Sequence, residues 1–368
     1  MREEWSAFLR ASNHDNLFHS WEWLAAWWAA FEAPHREFWF HVARDDSGRL
    51  HGLFPLMRVY SAAQRPFHLR VVQMTGRGIE GYAGGSEYMT FLTPPIRIGS
   101  EGPVMEALLR HLGTLRSTWD MALLDNLVDQ HPTTDALSRA VAGRHLVRQR
   151  QQEINYVLRL PETYEEFLSQ FSSERRKALR RSGRMLEKTW AVDVASLSSR
   201  ADLDRFLTEY YDLVARRHEW TPSAPKAMFL RRLGGDFLAT GSLRFSMLRL
   251  NGRAVATMLG FAYNRRYYLY KSAFDPDPAF SRASPGTYLR CRVAEQLIAE
   301  GLTELDYLIG ASDYKREWSN IQRNLTIVSL YSPSPSTMLR LGINKAWRGL
   351  RGRMTGRQGA PAHSALEA

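Results

Sequence analysis

The chain has 368 residues, 44% hydrophobic and 12% aromatic, which is enough apolar surface for more than one packed core. Its single cysteine, Cys291, excludes an internal disulfide and any cysteine-based multiligand metal site. A net charge of +11 favours polyanionic partners such as nucleotides, tRNA or anionic lipid surfaces, and residues 175–188 and 340–357 carry much of the excess.

The apolar run Trp23–Phe31 is far too short to span a bilayer and is edged by Glu22 and Glu32. Charged first residues without an apolar core read as no secretory signal, so the cytoplasm is the expected compartment. Residues 17–31 then read as an amphipathic helix with Ser20 as its cap. Alternating strands are predicted at 37–43, 50–59 and 67–74, the first two joined by the turn Asp45–Gly48. A Gly-rich loop at 75–85, a short strand at 88–92, a helix at 103–115 and a buried strand at 121–124 ending in Asp125 and Asn126 follow. The pattern restarts with a strand at 154–160, a helix at 164–188, a strand at 192–197 and two helices within 201–234. A meander of strands comes next, at 243–250, 254–263 and 267–274, the first turn being Asn251-Gly252. A helix at 286–300 and strands at 303–309 and 325–330 complete the unit.

Both halves give a hairpin, a further strand, a helix, and a strand ending in acid, which reads as an internal repeat. The expected fold class is α/β with mixed sheets. The expected domains are residues 1–150, residues 151–335 and a basic tail, 336–368, in which 338–350 reads as a cationic helix suited to an anionic membrane surface at the inner face.

Three runs resemble a known family: YYLYKSAFDPDPAFSRASPGTYL with LTELDYLIGASDYKREW, FHSWEWLAAWW with LHGLFPLMRV, and SSERRKALRRSGRMLEK. They look like the GNAT-superfamily acyltransferases of the CelD-like group, relatives of the Fem-type aminoacyl transferases, over residues 15–332. The resemblance implies two tandem GNAT-like domains, with the acyl-donor site in the second. It also implies transfer from a thioester such as acetyl-CoA, or from aminoacyl-tRNA in the Fem branch, to an amine or hydroxyl of a sugar, lipid-linked glycan or small metabolite. The usual Gln/Arg-x-x-Gly-x-Gly/Ala phosphate loop is replaced here by Ser-Pro-Gly-Thr, which leaves the donor open and admits a non-catalytic binding protein as a further alternative.

A strand leading through a Gly-containing step into a helix aims backbone N–H groups at one spot, so Ser284, Gly286 and Thr287, with Arg290 one turn on, are the phosphate candidates. Asp306 is a candidate base if burial raises its pKa, or else a structural acid. Tyr314 is either a proton donor or an aromatic plug, and Lys315 either an anion contact or a solvated lysine. Trp318 shares a helical face with Tyr314 and reads as packing. On the basic helix, Arg176, Arg180 and Arg184 fall on one stripe at spacing four, where like charges repel and an anion relieves them. Glu22 and Trp23, with Tyr270 and Asp275, are candidates for an acceptor cleft. The histidines lack metal-ligand spacing, so no metal is expected, and DNA is not an expected partner.

Overall fold

The computed structural model describes residues 2–60, 69–76, 91–142, 147–218, 221–281, 283–310 and 312–343. In chain order the elements are α1 Arg2–Arg10, α2 Trp21–Phe31, β1 Arg36–Arg44, β2 Leu50–Tyr60, β3 Arg70–Met74, α3 Glu101–Thr114, β4 Met121–Val128, α4 Pro132–Val141, β5 Val147–Arg159, α5 Tyr164–Ser169 and α6 Ser173–Thr189. They continue with β6 Val192–Ser196, α7 Leu203–His218, α8 Ala224–Ala239, β7 Leu243–Leu250, β8 Arg253–Tyr263, β9 Arg266–Phe274, α9 Pro278–Ser281, α10 Pro285–Ala299, β10 Glu304–Ile309, α11 Asp313–Trp318 and β11 Ile321–Tyr331. Two compact units form: a larger one of Met1–Phe31, Ser86–Phe91 and Gln151–Leu325, and a smaller one of Glu32–Gly85, Leu92–Arg150 and Thr326–Ala368.

In the smaller unit the strand order is β1-β2-β3-β4. β1 and β2 form an antiparallel hairpin whose turn is held by Asp45 Oδ1, which accepts from the Ser47 and Arg49 amides at 3.0 Å. β2 and β3 are antiparallel, and α3 crosses over so that β4 lies parallel to β3. The fully buried Asp120 accepts from Arg70 and from Thr337 Oγ1 at 2.7 Å, which fixes the start of a helix at 335–343. The expected helix at 338–350 therefore begins earlier, and the rest of it lies outside the described residues, as do 88–90 of the expected short strand and the tail beyond 343.

The larger unit has the order β5-β10-β9-β8-β7-β6. Asn251 and Gly252, at φ +50° and +82°, make the two-residue turn that matches strand twist between β7 and β8. Asn264 and Arg265, at φ +50° and +58°, do the same between β8 and β9. As in the smaller unit, an antiparallel hairpin gains a third antiparallel strand, then a helix, α10, then a parallel strand, β10. Gly260 on β8 sits where an added Cβ would lie 2.4 Å from the Tyr268 carbonyl oxygen, so only glycine allows the approach.

Three boundaries differ from the sequence reading. Ser20 does cap α2, accepting from the Trp23 amide at 3.3 Å, but residues 17–19 form a 3-10 turn rather than part of the helix. The predicted helix at 164–188 is two helices: the first ends at Ser169 with Gln170 as its C-cap, and Ser172 caps α6 through the Arg175 amide. The expected division at residue 150 is crossed by α1 and α2, which pack with residues 151–325. The reason is Trp23, fully buried among Phe18, Tyr270, Phe261 and Phe229 at ring-centroid distances of 4.8, 5.1, 5.4 and 5.7 Å. Trp23 is therefore core, not cleft wall.

No helix among the described residues is long and apolar enough to cross a membrane. Trp23→Ala is expected to destabilise the chain by about 3–5 kcal/mol, the range for truncating a buried aromatic, as measured by urea denaturation.

Candidate functional site

The site starts from a break in the sheet. β9 and β10 pair in parallel only from Glu304↔Arg266 to Asp306↔Tyr268, and β9 then runs on to Phe274 paired with β8 alone. At the break, the pairing of β10 with β5 shifts between Asp306 and Ile309, and Leu308 takes a left-handed conformation at φ +61°. Asp306 causes this: its Oδ1 accepts the Leu308 amide at 2.8 Å and the Asn155 side-chain amide at 2.6 Å. Burial holds the Asp306 carboxyl above the usual carboxylate range, against the pull of Arg266, Asn155, the Leu308 amide and Arg323.

Past the break, a cleft of about 550 Å³ opens over Ser272–Phe274 of β9, the first two turns of α10, and Tyr314. The left-handed Ser284 (φ +48°) turns the chain into α10, and Pro285 takes the first helical position, where its missing N–H costs nothing. The Thr287 and Tyr288 amides both donate to the Ser284 carbonyl, at 2.9 and 3.1 Å, so the Thr287 backbone is engaged and its side chain lines the cleft. Gly286 lines it too, and a Cβ there would make only ordinary contact with Phe274 at 3.7 Å.

Arg290 stands in a frame of aromatic rings. Its guanidinium carbon lies 4.8, 5.1 and 6.0 Å from the ring centroids of Trp318, Tyr314 and Tyr307. Its Nε is buried without a hydrogen-bond partner, a cost of about 1–3 kcal/mol that an anionic or carbonyl ligand would remove. Tyr314 is 37% exposed on the cleft wall, where partial desolvation raises its pKa against opposing pulls from Arg290 and Arg217, so it is a neutral phenol at physiological pH. Trp318, 3% exposed, is indeed packing, and Arg175 lies 4.7 Å from its ring. A second cation, Arg217 at the end of α7, lines the cleft 4.0 Å from the Phe274 ring.

Other expected site residues fall elsewhere. Asp306 is fully buried and not on the cleft wall, and Lys315 Nζ donates to the Ile309 carbonyl. Asp275 borders the cleft, but its carboxylate is held by Arg216 at 2.5 Å and Arg253 at 2.7 Å and accepts the Asp277 amide. Glu22 pairs with Arg2. Tyr270 packs on Trp23. Arg176 turns inward to donate to the Phe171 carbonyl at 2.7 Å, whereas Arg180 and Arg184 stay exposed beside a separate groove. Sequence reasoning missed Arg217, Tyr307 and Arg175. Of these only Arg175, at the head of the basic run, left a visible signal. Among the described residues no group of three His, Cys, Asp or Glu is placed to hold a metal.

Residues 173–316, from α6 into α11, match the family model of the acetyltransferase (GNAT) domain. The chain shares its fold with the crystal structure of FemX, at TM-score 0.60 and 11% identity over 92% of this chain and 98% of that one. A conserved protein from Bacteroides thetaiotaomicron (TM-score 0.56, 12% identity, 90% and 97% covered) and L-PGS from Bacillus licheniformis (0.52, 12%, 94% and 95%) are similar in the same way. No curated protein matches. The arrangement around α10 is thus that of an acetyltransferase-type domain. Residues 173–316 resemble a GNAT domain, and the chain as a whole is similar in fold to FemX.

Because burial raises the Asp306 pKa above its ordinary 3.8, the folded chain holds one more proton than the unfolded chain between those two values. This group's contribution to stability therefore falls as pH rises through that window. Asp306→Asn keeps an acceptor for Leu308 and removes the titration. Its unfolding free energy is expected to fall less than wild type's as pH rises from about 4 to about 7. Parallel curves in urea titrations would show that the folded carboxyl already ionises normally.

Proposed function

We propose that the chain is an acyltransferase that moves an acetyl or other acyl group from an acyl-CoA thioester to an amine or hydroxyl acceptor, a sugar, a lipid-linked glycan or a small metabolite. The observation that carries this reading is Arg290, a guanidinium with a buried, unpaired Nε, set beside the neutral phenol of Tyr314 on the wall of the cleft. A long donor with phosphates at one end and a thioester at the other needs an anion site and a charge-stabilising site along one cleft. The first turn of α10, with Ser284, Gly286 and the Thr287 hydroxyl, offers the first. Arg290 and Tyr314 offer the second.

In the reaction the acceptor's lone pair attacks the thioester carbon, the new C–N or C–O bond forms, and the C–S bond breaks with its electrons leaving on sulfur. Arg290 faces the negative charge as it develops, where a preorganised donor counts most. Tyr314 gives the departing thiolate its proton, and the acceptor's proton passes to solvent and restores the phenol. A phenol whose pKa is raised stays protonated at neutral pH, so Tyr314 carries the proton it would give and is poorly suited to act as base. Orientation of the two substrates in the cleft supplies much of the remaining acceleration.

A second reading makes aminoacyl-tRNA the donor. It is favoured by Lys177, Arg180, Arg181, Arg184 and Lys188 of α6, which are exposed and form no ion pair among the described residues. Retention of labelled aminoacyl-tRNA that weakens steeply with salt would select it.

The first reading is tested by following free thiol released from acetyl-CoA over an amine and hydroxyl acceptor panel. Tyr314→Phe is expected to lower kcat by about 100-fold with little change in KM. Arg290→Gln is expected to lower kcat/KM by about 100-fold or more. Wild-type turnover in both variants would remove these residues from the chemistry, and the absence of thiol release over the whole panel would count against the CoA donor.

A further inference from the structure

A second cavity, of about 340 Å³, lies where α5, α6 and α10 meet in the larger unit. Tyr164, Leu168, Leu179 and Cys291 give it an apolar side, while Arg180 and Arg184 stand exposed on its rim. α6 is fixed against α10 by Ser182 Oγ donating to the Ala283 carbonyl and by the Tyr288 hydroxyl donating to Glu187 at 3.0 Å. The rim is therefore attached to the same helix start that borders the larger cleft.

Arg180 and Arg184 are one helical turn apart, so their like charges repel, and neither forms an ion pair among the described residues. Of the other cations nearby, Arg175 pairs with Glu317, Arg176 with the Phe171 carbonyl and Arg292 with Glu295 at 2.8 Å, while Lys177, Arg181 and Lys188 are exposed on α6 but do not line the groove. Two free guanidinium forks a turn apart match a group that accepts several hydrogen bonds and carries more than one negative charge, which describes a phosphate monoester. Thr287 lines both this groove and the larger cleft, so the two cavities adjoin at the first turn of α10.

We infer that the groove is a second anion subsite, in which Arg180 and Arg184 hold the phosphate monoester at the nucleotide end of the donor, the ribose 3′-phosphate of CoA. The donor then crosses α10 at Thr287 and runs into the larger cleft. This rests on the acyl-CoA reading above and adds to it a site for the ribose phosphate, separate from the anion site at the first turn of α10. The stripe anticipated from sequence thus divides by function: Arg176 supports the turn between α5 and α6, and the two arginines after it recognise ligand.

The test compares CoA with 3′-dephospho-CoA by titration calorimetry on the full chain at low salt. Wild type is expected to bind CoA about five- to tenfold more tightly, an advantage that shrinks as added salt screens the exposed pair. In the Arg180→Gln/Arg184→Gln variant the ratio of the two affinities is expected to fall to about one, and Arg180→Lys/Arg184→Lys is expected to restore part of it. Equal binding of the two nucleotides by wild type would overturn the subsite and leave the donor reading standing. A preference that survives in the glutamine variant would likewise overturn it. Binding of neither nucleotide would overturn the donor reading and the subsite with it.

Discussion

A buried carboxylate that accepts the amide two residues further on determines the shape of the larger unit's site. Left-handed backbone costs a leucine about 1–2 kcal/mol, and a hydrogen bond from an amide to a charged or strongly polar acceptor returns about 1.5–3 kcal/mol. The second quantity is the larger, so the Asp306–Leu308 contact can hold the bend at φ +61°. With β10 bent, its parallel ladder to β9 stops at Tyr268, and the stretch Ser272–Phe274 is left to face a cleft instead of a neighbouring strand. Asp306 thus shapes the opening without lining it, and the groups on the cleft wall are Arg290 and Tyr314.

The aromatic frame of Arg290 follows from helix geometry. Tyr314 and Trp318 are four residues apart on α11 and so present one face, and that face meets the guanidinium. Tyr307, just before the left-handed residue, supplies a third ring. Rings near a cation attract it through their faces without a hydrogen bond, so the frame orients the charge without neutralising it. A carboxylate in the same place would have consumed the charge. Asp275 shows the contrast, since its carboxylate is taken up by Arg216 and Arg253 at the same cleft's border.

Local signals were legible in the sequence wherever chemistry is decided within a few residues. Asn251-Gly252 needed two positive φ angles and has them, Ser284-Pro285 starts a helix, and Tyr314 shares a face with Trp318. Long-range pairing was not legible. Trp23 looks the same in sequence whether its ring lines a cleft or is packed among four others, and only the approach of α8 and the strands decides it. Arg176 and Arg180 occupy equivalent positions on a repeating stripe, yet one finds a carbonyl at the end of α5 and the other does not. Arg217 gave no sign because its partner is a ring on β9. Helices α1 and α4 were not anticipated, being short segments that gain their stability from what they pack on.

The two units carry the same structural device with different outcomes. In the smaller unit the parallel pairing of β3 with β4 stops at Gln73↔Leu123, and Asn126 turns left-handed at φ +51°, as Leu308 does in β10. There, however, the polar edge past the break is met by the chain itself. The Leu92 amide donates to the Asn126 carbonyl at 3.2 Å, the Val128 amide donates to Thr93 Oγ1 at 2.8 Å, and both Leu92 and Thr93 are buried. A backbone segment seated in that position satisfies the groups that a ligand would otherwise meet. In the larger unit the corresponding stretch of β9 borders open space, with a helix start and a framed arginine beside it. The same element order in both units accompanies the break in both places, and the segment at Leu92–Thr93 accounts for why the smaller unit's edge is filled while the larger unit's borders a cleft.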